Sequence, residues 1–267
     1  MAYKLIAIDL DGTLLDGNME ISRRNKEAIK KASKKGVRVT LCSGRPFDMV
    51  KGYAEELELK IPFITNNGAM IVTTHDHKVV YKREMEYEII KPLLGYAHQR
   101  NIKMFAFVDD VMYTNIPPDG QEIEVWKRYG QKFVYMNEFY HYINENLIKL
   151  MYVGEYNELK GYMKDLEGYC RNRFMQYLVV GRYLEFVPID VNKGSAVKYL
   201  ASYYGIRASE VMAIGDEEND IPMLRYAGLG VAMGNAYPHI KEVADFITDT
   251  NDAHGVAKSI EKFVLGG

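Results

Sequence analysis

Cysteine is scarce in this chain of 267 residues: only Cys42 and Cys170 occur, far apart and without Cys-x-x-Cys spacing. That excludes a disulfide framework and a thiolate zinc site, and predicts free thiols suited to a reducing cytosol. Charge of one sign is also missing. The formal net charge is only -2, so no cationic excess is present to hold nucleic acid or an anionic membrane. Long apolar runs are absent near the amino terminus, where Asp9 interrupts the first one too soon for a signal peptide or an anchor. A cytoplasmic protein without nucleic-acid or membrane partners, a monomer or weak homodimer, is expected. With 48% hydrophobic and 26% charged residues the chain has the composition of an ordinary globule, long enough for one large domain or two modest ones.

What is present is concentrated in Ile6-Ala7-Ile8-Asp9-Leu10-Asp11-Gly12-Thr13-Leu14-Leu15. The apolar run predicts a strand over 5–10, buried on both faces. Strand alternation would send Asp9 and Asp11 off its carboxyl end on the same side, where ligands collect in parallel α/β sheets. Two carboxylates so close need a cation or a shared proton. Gly12 lets the chain turn away, and Thr13 can fix that turn with its hydroxyl.

Up to about residue 82, strands and helices alternate. Strands are predicted over 5–10, 37–42 and 62–65, with helices over 22–35 and from Pro46 onward. Asn66-Asn67-Gly68 forms a turn into a strand over 69–73, and a further strand covers 79–82. Between 83 and 187 paired strands meet across short polar turns: 104–108 with 111–114 around Asp109-Asp110, and 174–180 with 183–187 around Gly181-Arg182. Helices are predicted there over 88–99, 121–128, 137–143 and 156–168. After Pro188 the first grammar resumes, with helices over 195–204, 221–226, 237–244 and 255–264 and strands over 211–214, 229–232 and 246–248. The predicted fold class is α/β: a Rossmann-like, three-layer core of mainly parallel sheet from 1–82 and 188–267, with 83–187 inserted as an α+β domain.

The remaining polar clusters each follow a predicted core strand. Ser43-Gly44 can offer a hydroxyl and backbone amides to an anion, and Lys193-Gly194, opening a helix, an ammonium. Gly215-Asp216-Glu217-Glu218-Asn219-Asp220 brings more carboxylates to the same edge, suited to an oxygen-only cation site of the kind magnesium prefers. Taken singly, each is also an ordinary turn or helix start.

Together these residues resemble the haloacid dehalogenase superfamily of phosphohydrolases, in its Cof-like branch with a type IIB cap. Asp9-Leu10-Asp11-Gly12-Thr13, Ser43-Gly44-Arg45, Lys193-Gly194 and Gly215-Asp216-x-x-Asn219-Asp220 match its four motifs in order. Asn66-Asn67-Gly68-Ala69, Met233-Gly234-Asn235-Ala236 and Asn251-x-x-x-Gly255-Val256-Ala257 are similar to the branch as well. Asp190 departs from it, standing where relatives often have glycine. The resemblance implies a magnesium-dependent phosphatase acting on small phosphomonoesters such as sugar phosphates. It implies Asp9 as nucleophile and Asp11 as general acid and base, with magnesium on Asp9, Asp216 and the Asp11 backbone carbonyl. Leu10, Ser43, Gly44, Lys193 and Asn219 would hold the phosphate, with Arg45 and Asn67 near the substrate. A phosphomutase of the same superfamily would share every motif. A non-enzymatic acidic-pocket binding domain is the other alternative, though it needs no insertion. Inside 83–187 lie 13 of the 21 tyrosines and the single tryptophan, with 13 Lys plus Arg against 15 Asp plus Glu, so that segment favours a small polar organic group over a polyanion.

Overall fold

The computed structural model describes residues 3–109, 111–128, 130–179 and 181–266. The chain divides into two compact units, one of 1–45, 50–81 and 192–267, the other of 46–49 and 82–191. Along the chain, the first unit begins with β1 (Leu5–Ile8), α1 (Arg23–Lys34), β2 (Arg38–Leu41), α2 (Lys51–Glu56), β3 (Phe63–Thr65) and β4 (Met70–Val72), and β5 (Val79–Lys82) leads to the second. That unit holds α3 (Tyr87–Gln99), β6 (Lys103–Val108), β7 (Val111–Thr114), α4 (Gly120–Arg128), β8 (Lys132–Tyr135), α5 (Phe139–Tyr142), β9 (Lys149–Val153), α6 (Tyr156–Cys170), β10 (Phe174–Val179) and β11 (Tyr183–Pro188). The first unit then resumes with α7 (Lys193–Tyr203), β12 (Val211–Gly215), α8 (Ile221–Tyr226), β13 (Leu229–Ala232), α9 (Pro238–Lys241), β14 (Phe246–Ile247) and α10 (Gly255–Ile260).

The first unit is a parallel five-stranded sheet in the order β14-β13-β12-β1-β2. Its inner strands β13, β12 and β1 are apolar and buried throughout because both faces are covered. Leu5, Ala7, Val211 and Ala213 pack with Val197 and Leu200 of α7 and Met223 and Leu224 of α8. By alternation Ile6, Ile8, Met212 and Ile214 point to the opposite face, toward the packed pair α1 and α10. Each fully buried aliphatic side chain there stabilises the fold by about 1.5–3 kcal/mol. Because β12 lies on one side of β1 and β2 on the other, the order reverses at β1, the position where α/β sheets open a crevice at their carboxyl edge. β3, β4 and β5 form a separate three-stranded sheet.

In the second unit a six-stranded sheet runs β10-β11-β9-β6-β7-β8, antiparallel except for the β7–β8 pair. Ile90, Leu93 and Leu94 of α3 and Leu159 and Leu166 of α6 cover Leu150, Tyr152, Leu184 and Phe186 on one face. Trp126 packs edge-on against Phe105, which alternates to the other face.

Several sequence expectations are corrected. β1 ends at Ile8, two residues early, because the chain turns out of the sheet at Asp9 and reaches Gly12 with a φ of 72°. The helix expected from Pro46 breaks into a tight turn at Phe47–Met49 and the short α2. The helix expected over 237–244 stops at Lys241 and the one over 137–143 shrinks to Phe139–Tyr142. Strands β8 and β9 are additions to the expected elements; β9 hides behind Lys149, a buried lysine paired with Glu185 at 2.5 Å on β11. The expected turn residue Asp110 and strand residue Val180 lie outside the described residues. Both cysteines are free. No helix among the described residues is long and apolar enough to cross a membrane.

Candidate active site

The carboxyl ends of β1, β2 and β12, the opening of α7 and the turn before α8 supply the predicted polar residues. Asp9 is the first residue beyond β1 and is 4% exposed. Its N–H still donates to the Ile214 carbonyl of the neighbouring β12 at 3.0 Å, which fixes its backbone at the sheet edge. α7 is capped by Asn192, whose side chain accepts from the Ser195 amide at 2.8 Å, so helix geometry begins at Lys193 and not at Ser195. That start aims the buried Lys193 Nζ at Asp9 Oδ1, 2.6 Å away, and at Asp220 Oδ1, 2.5 Å away. Burial opposes the charge on Lys193, but Asp220 and Asp9 outweigh it and raise its pKa.

In the sequence Asp220 reads as a helix-start acid in the carboxylate cluster and as the end of the fourth motif, without a role of its own. Its second oxygen accepts the Asp216 and Glu217 amides at 2.9 and 3.0 Å, so it fixes both the lysine and the turn that presents Asp216. The available signal is its place four residues after Asp216; the partner, Lys193, is 27 residues away and invisible to local pattern. Asp216 accepts from Thr13 Oγ1 at 2.6 Å, and from Asn235 Nδ2 at 3.3 Å. The Thr13 hydroxyl, expected to fix its own turn, is spent on Asp216 in the facing loop. A Cβ on Gly12 would lie 2.2 Å from Asp216 Oδ2, so only glycine lets the two loops approach this closely.

Asp11 does not share the setting of Asp9. Its side chain is 51% exposed and is held bidentately by Arg45, with Nε at 2.8 Å and Nη2 at 2.6 Å. The expected crowding of two carboxylates is thus resolved by two separate cations, because the chain leaves the sheet between them. Ser43 Oγ accepts the Arg45 amide at 3.1 Å, which leaves its own proton to donate. Asn67, in the left-handed region with φ 56°, is buried; its Oδ1 accepts Asn219 Nδ2 at 2.9 Å and lies 2.9 Å from where a Gly44 Cβ would sit. Asn67 thereby bonds Asn219 and packs against Gly44, two of the predicted phosphate contacts.

Asp9, Asp216 and Asp220 each offer a carboxylate oxygen within 4.8 Å of the others, a group that could hold a metal ion. Three carboxylates face one ammonium, an excess matching a divalent cation. Burial and then Asp220 push Asp9 well above the usual carboxylate range, and burial pushes Asp216 up to about 7 despite the Thr13 hydrogen bond. Asp220 already accepts three donors, which leaves Asp9 and Asp216 as the carboxylates that could hold a cation, and an all-oxygen set suits a hard ion.

A family profile of haloacid dehalogenase-like hydrolases matches residues 6–260. The chain belongs to that family. The 5-amino-6-(5-phospho-D-ribitylamino)uracil phosphatase YwtE of Bacillus subtilis is 32% identical to it, the alignment covering 98% of this chain and 99% of that protein. A haloacid dehalogenase-like hydrolase from Bacteroides thetaiotaomicron is 31% identical with a TM-score of 0.87, covering 97% of this chain and 99% of that one. A solved subclass IIB sugar phosphatase, 22% identical, has the same fold with a TM-score of 0.83, covering 97% of this chain and 98% of that one. The protein is a phosphatase hydrolase of this family, with the Rossmann-like core plus cap architecture, and phosphatases similar to it act on phosphorylated small molecules.

Proposed function

We propose that this haloacid dehalogenase-like phosphatase is magnesium-dependent and hydrolyses small organic phosphomonoesters, sugar phosphates or similar, through an aspartyl phosphate on Asp9. The observation that carries the reading is the buried Asp9 at the sheet's switch point, 2.6 Å from Lys193, in a carboxylate group with Asp216. Asp9 Oδ attacks phosphorus while the ester oxygen leaves; Asp11 gives that oxygen its proton. Asp11 then takes a proton from water as the water oxygen attacks phosphorus, and Asp9 is released with inorganic phosphate. Asp9, Asp216 and the Asp11 backbone carbonyl would hold magnesium, which would supply positive charge to offset the negative charge of the nucleophile and the phosphoryl oxygens. The Ser43 hydroxyl, the Leu10 and Gly44 amides, Lys193 and the second Asn219 amide proton donate to those oxygens as charge moves onto them.

Arg45 acts on Asp11 in the resting state, and Asn67 acts through Asn219 and Gly44. Residues 83–187 serve as the cap that selects the leaving group, and the reaction takes place in the cytoplasm. The test is a panel of phosphorylated sugars, nucleotides and cofactors, assayed with and without magnesium. Release of inorganic phosphate, lost on chelation and in Asp9→Asn, is expected. Isomerised phosphate esters without inorganic phosphate would make the protein a mutase, and undiminished turnover by Asp9→Asn would overturn the mechanism.

A further inference from the structure

Beyond the groups assigned to the reaction, a chain of amides runs along the carboxyl ends of the adjacent strands β12, β13 and β14. Asn235, in the loop after β13, spends both protons of its amide on the catalytic loops: one on the Gly12 carbonyl at 2.8 Å, the other on Asp216 Oδ2 at 3.3 Å. Its Oδ1 accepts the backbone amide of Asn251 at 3.1 Å, and the Asn251 side chain donates to the Leu15 carbonyl at 2.8 Å. A flipped Asn235 would set donor against donor and acceptor against acceptor at every contact, so its orientation is fixed by its neighbours. The loops themselves are tightly set. Gly234 donates to the Asp249 carbonyl at 3.0 Å, and a Cβ on Gly255 would lie 2.1 Å from that same oxygen.

From this arrangement we infer that Asn235, held by Asn251, is a positioning residue that aims the Asp216 carboxylate and the Gly12 turn at the divalent cation. The inference rests on the proposed magnesium site. Its physical ground is the kind of donor used. Asp9 and Asp220 share the ammonium of Lys193, whereas the two side chains bonded to Asp216, Thr13 and Asn235, are neutral. Neutral donors orient a carboxylate without cancelling the charge that a cation needs; a lysine at 235 would compete with the metal. Asn235 is also exposed, and Asp216 keeps the Thr13 hydrogen bond without it, so its removal leaves the fold intact. Partners of this kind typically alter metal affinity by about 10- to 100-fold.

Titration calorimetry of magnesium into the metal-free protein, without substrate, reads this directly. Asn235→Ala weakens binding roughly tenfold, with a metal-free melting temperature close to that of the parent. Asn251→Ala, which keeps the backbone amide that Asn235 accepts and loses only the tie to Leu15, weakens it less. Parent-like affinity in folded Asn235→Ala would overturn the inference. A parent protein that binds no magnesium would instead overturn the metal reading underneath.

Discussion

Replacing Asp220 by asparagine tests whether this carboxylate organises the site. One oxygen now bonds Lys193 at 2.5 Å and the other takes two backbone amides at 2.9 and 3.0 Å. Asparagine has one oxygen. Turned toward the backbone amides, it sets its NH2 group against a buried ammonium; turned toward the ammonium, it sets NH2 against two N–H donors. The smaller loss is one charge-assisted hydrogen bond, about 1.5–3 kcal/mol, plus the cost of two donors facing each other. Opposing this, removal of one negative charge relieves Asp9 and Asp216, whose pKa values Asp220 helps to raise. A net loss of about 2 kcal/mol follows, or a fall of roughly 4–8 °C in the melting temperature of the parallel-sheet unit. Calorimetric melting of chelated protein measures it. Lys193 also loses one of its anchors, so turnover should fall with it. An Asp220→Asn protein melting within about 1 °C of the parent and turning over normally would refute the reasoning.

Two further outcomes concern the cation. In metal-free protein the Asp216 pKa is raised from 3.8 to about 7, so folding favours its protonated form: the penalty is absent below the unfolded value, grows as pH rises, and is complete above the folded one. Metal-free protein should therefore lose on the order of a few kcal/mol between pH 5 and 8, and the melting-temperature gain from magnesium should be larger at the higher pH; a flat gain would contradict it. Calcium takes about six to eight oxygens and readily accepts a carboxylate bidentately, so it should engage both oxygens of Asp9 and inhibit magnesium-supported turnover in steady-state assays.

The legible parts of the fold are those written in short-range pattern. The apolar run ending at Asp9, the one ending at Gly215-Asp216 and the alternation of strand and helix are local signals, and they place β1, β12 and the parallel sheet correctly. Both hairpins of the second unit are legible from their polar turns. β9 is not, because a charged lysine begins it and the glutamate that neutralises that lysine lies 36 positions later, at 185. The same limit hides the grip of Arg45 on Asp11 and the anchoring of Lys193 by Asp220: both are side-chain pairings between segments distant in sequence, fixed by tertiary geometry. Spacing shows that carboxylates gather at one edge. Which of them is buried and which exposed depends on where β1 stops.

The central claim is that Asp9 becomes covalently phosphorylated. Rapid quenching of the enzyme during turnover, borohydride reduction of any acyl phosphate and mass spectrometry of the peptides tests it most directly. The account predicts homoserine at position 9, formed only with substrate and magnesium present, and more of it in Asp11→Asn protein given a substrate with a good leaving group. Modification at another residue, or none at position 9 while quenched Asp11→Asn enzyme has released its leaving group, would contradict it.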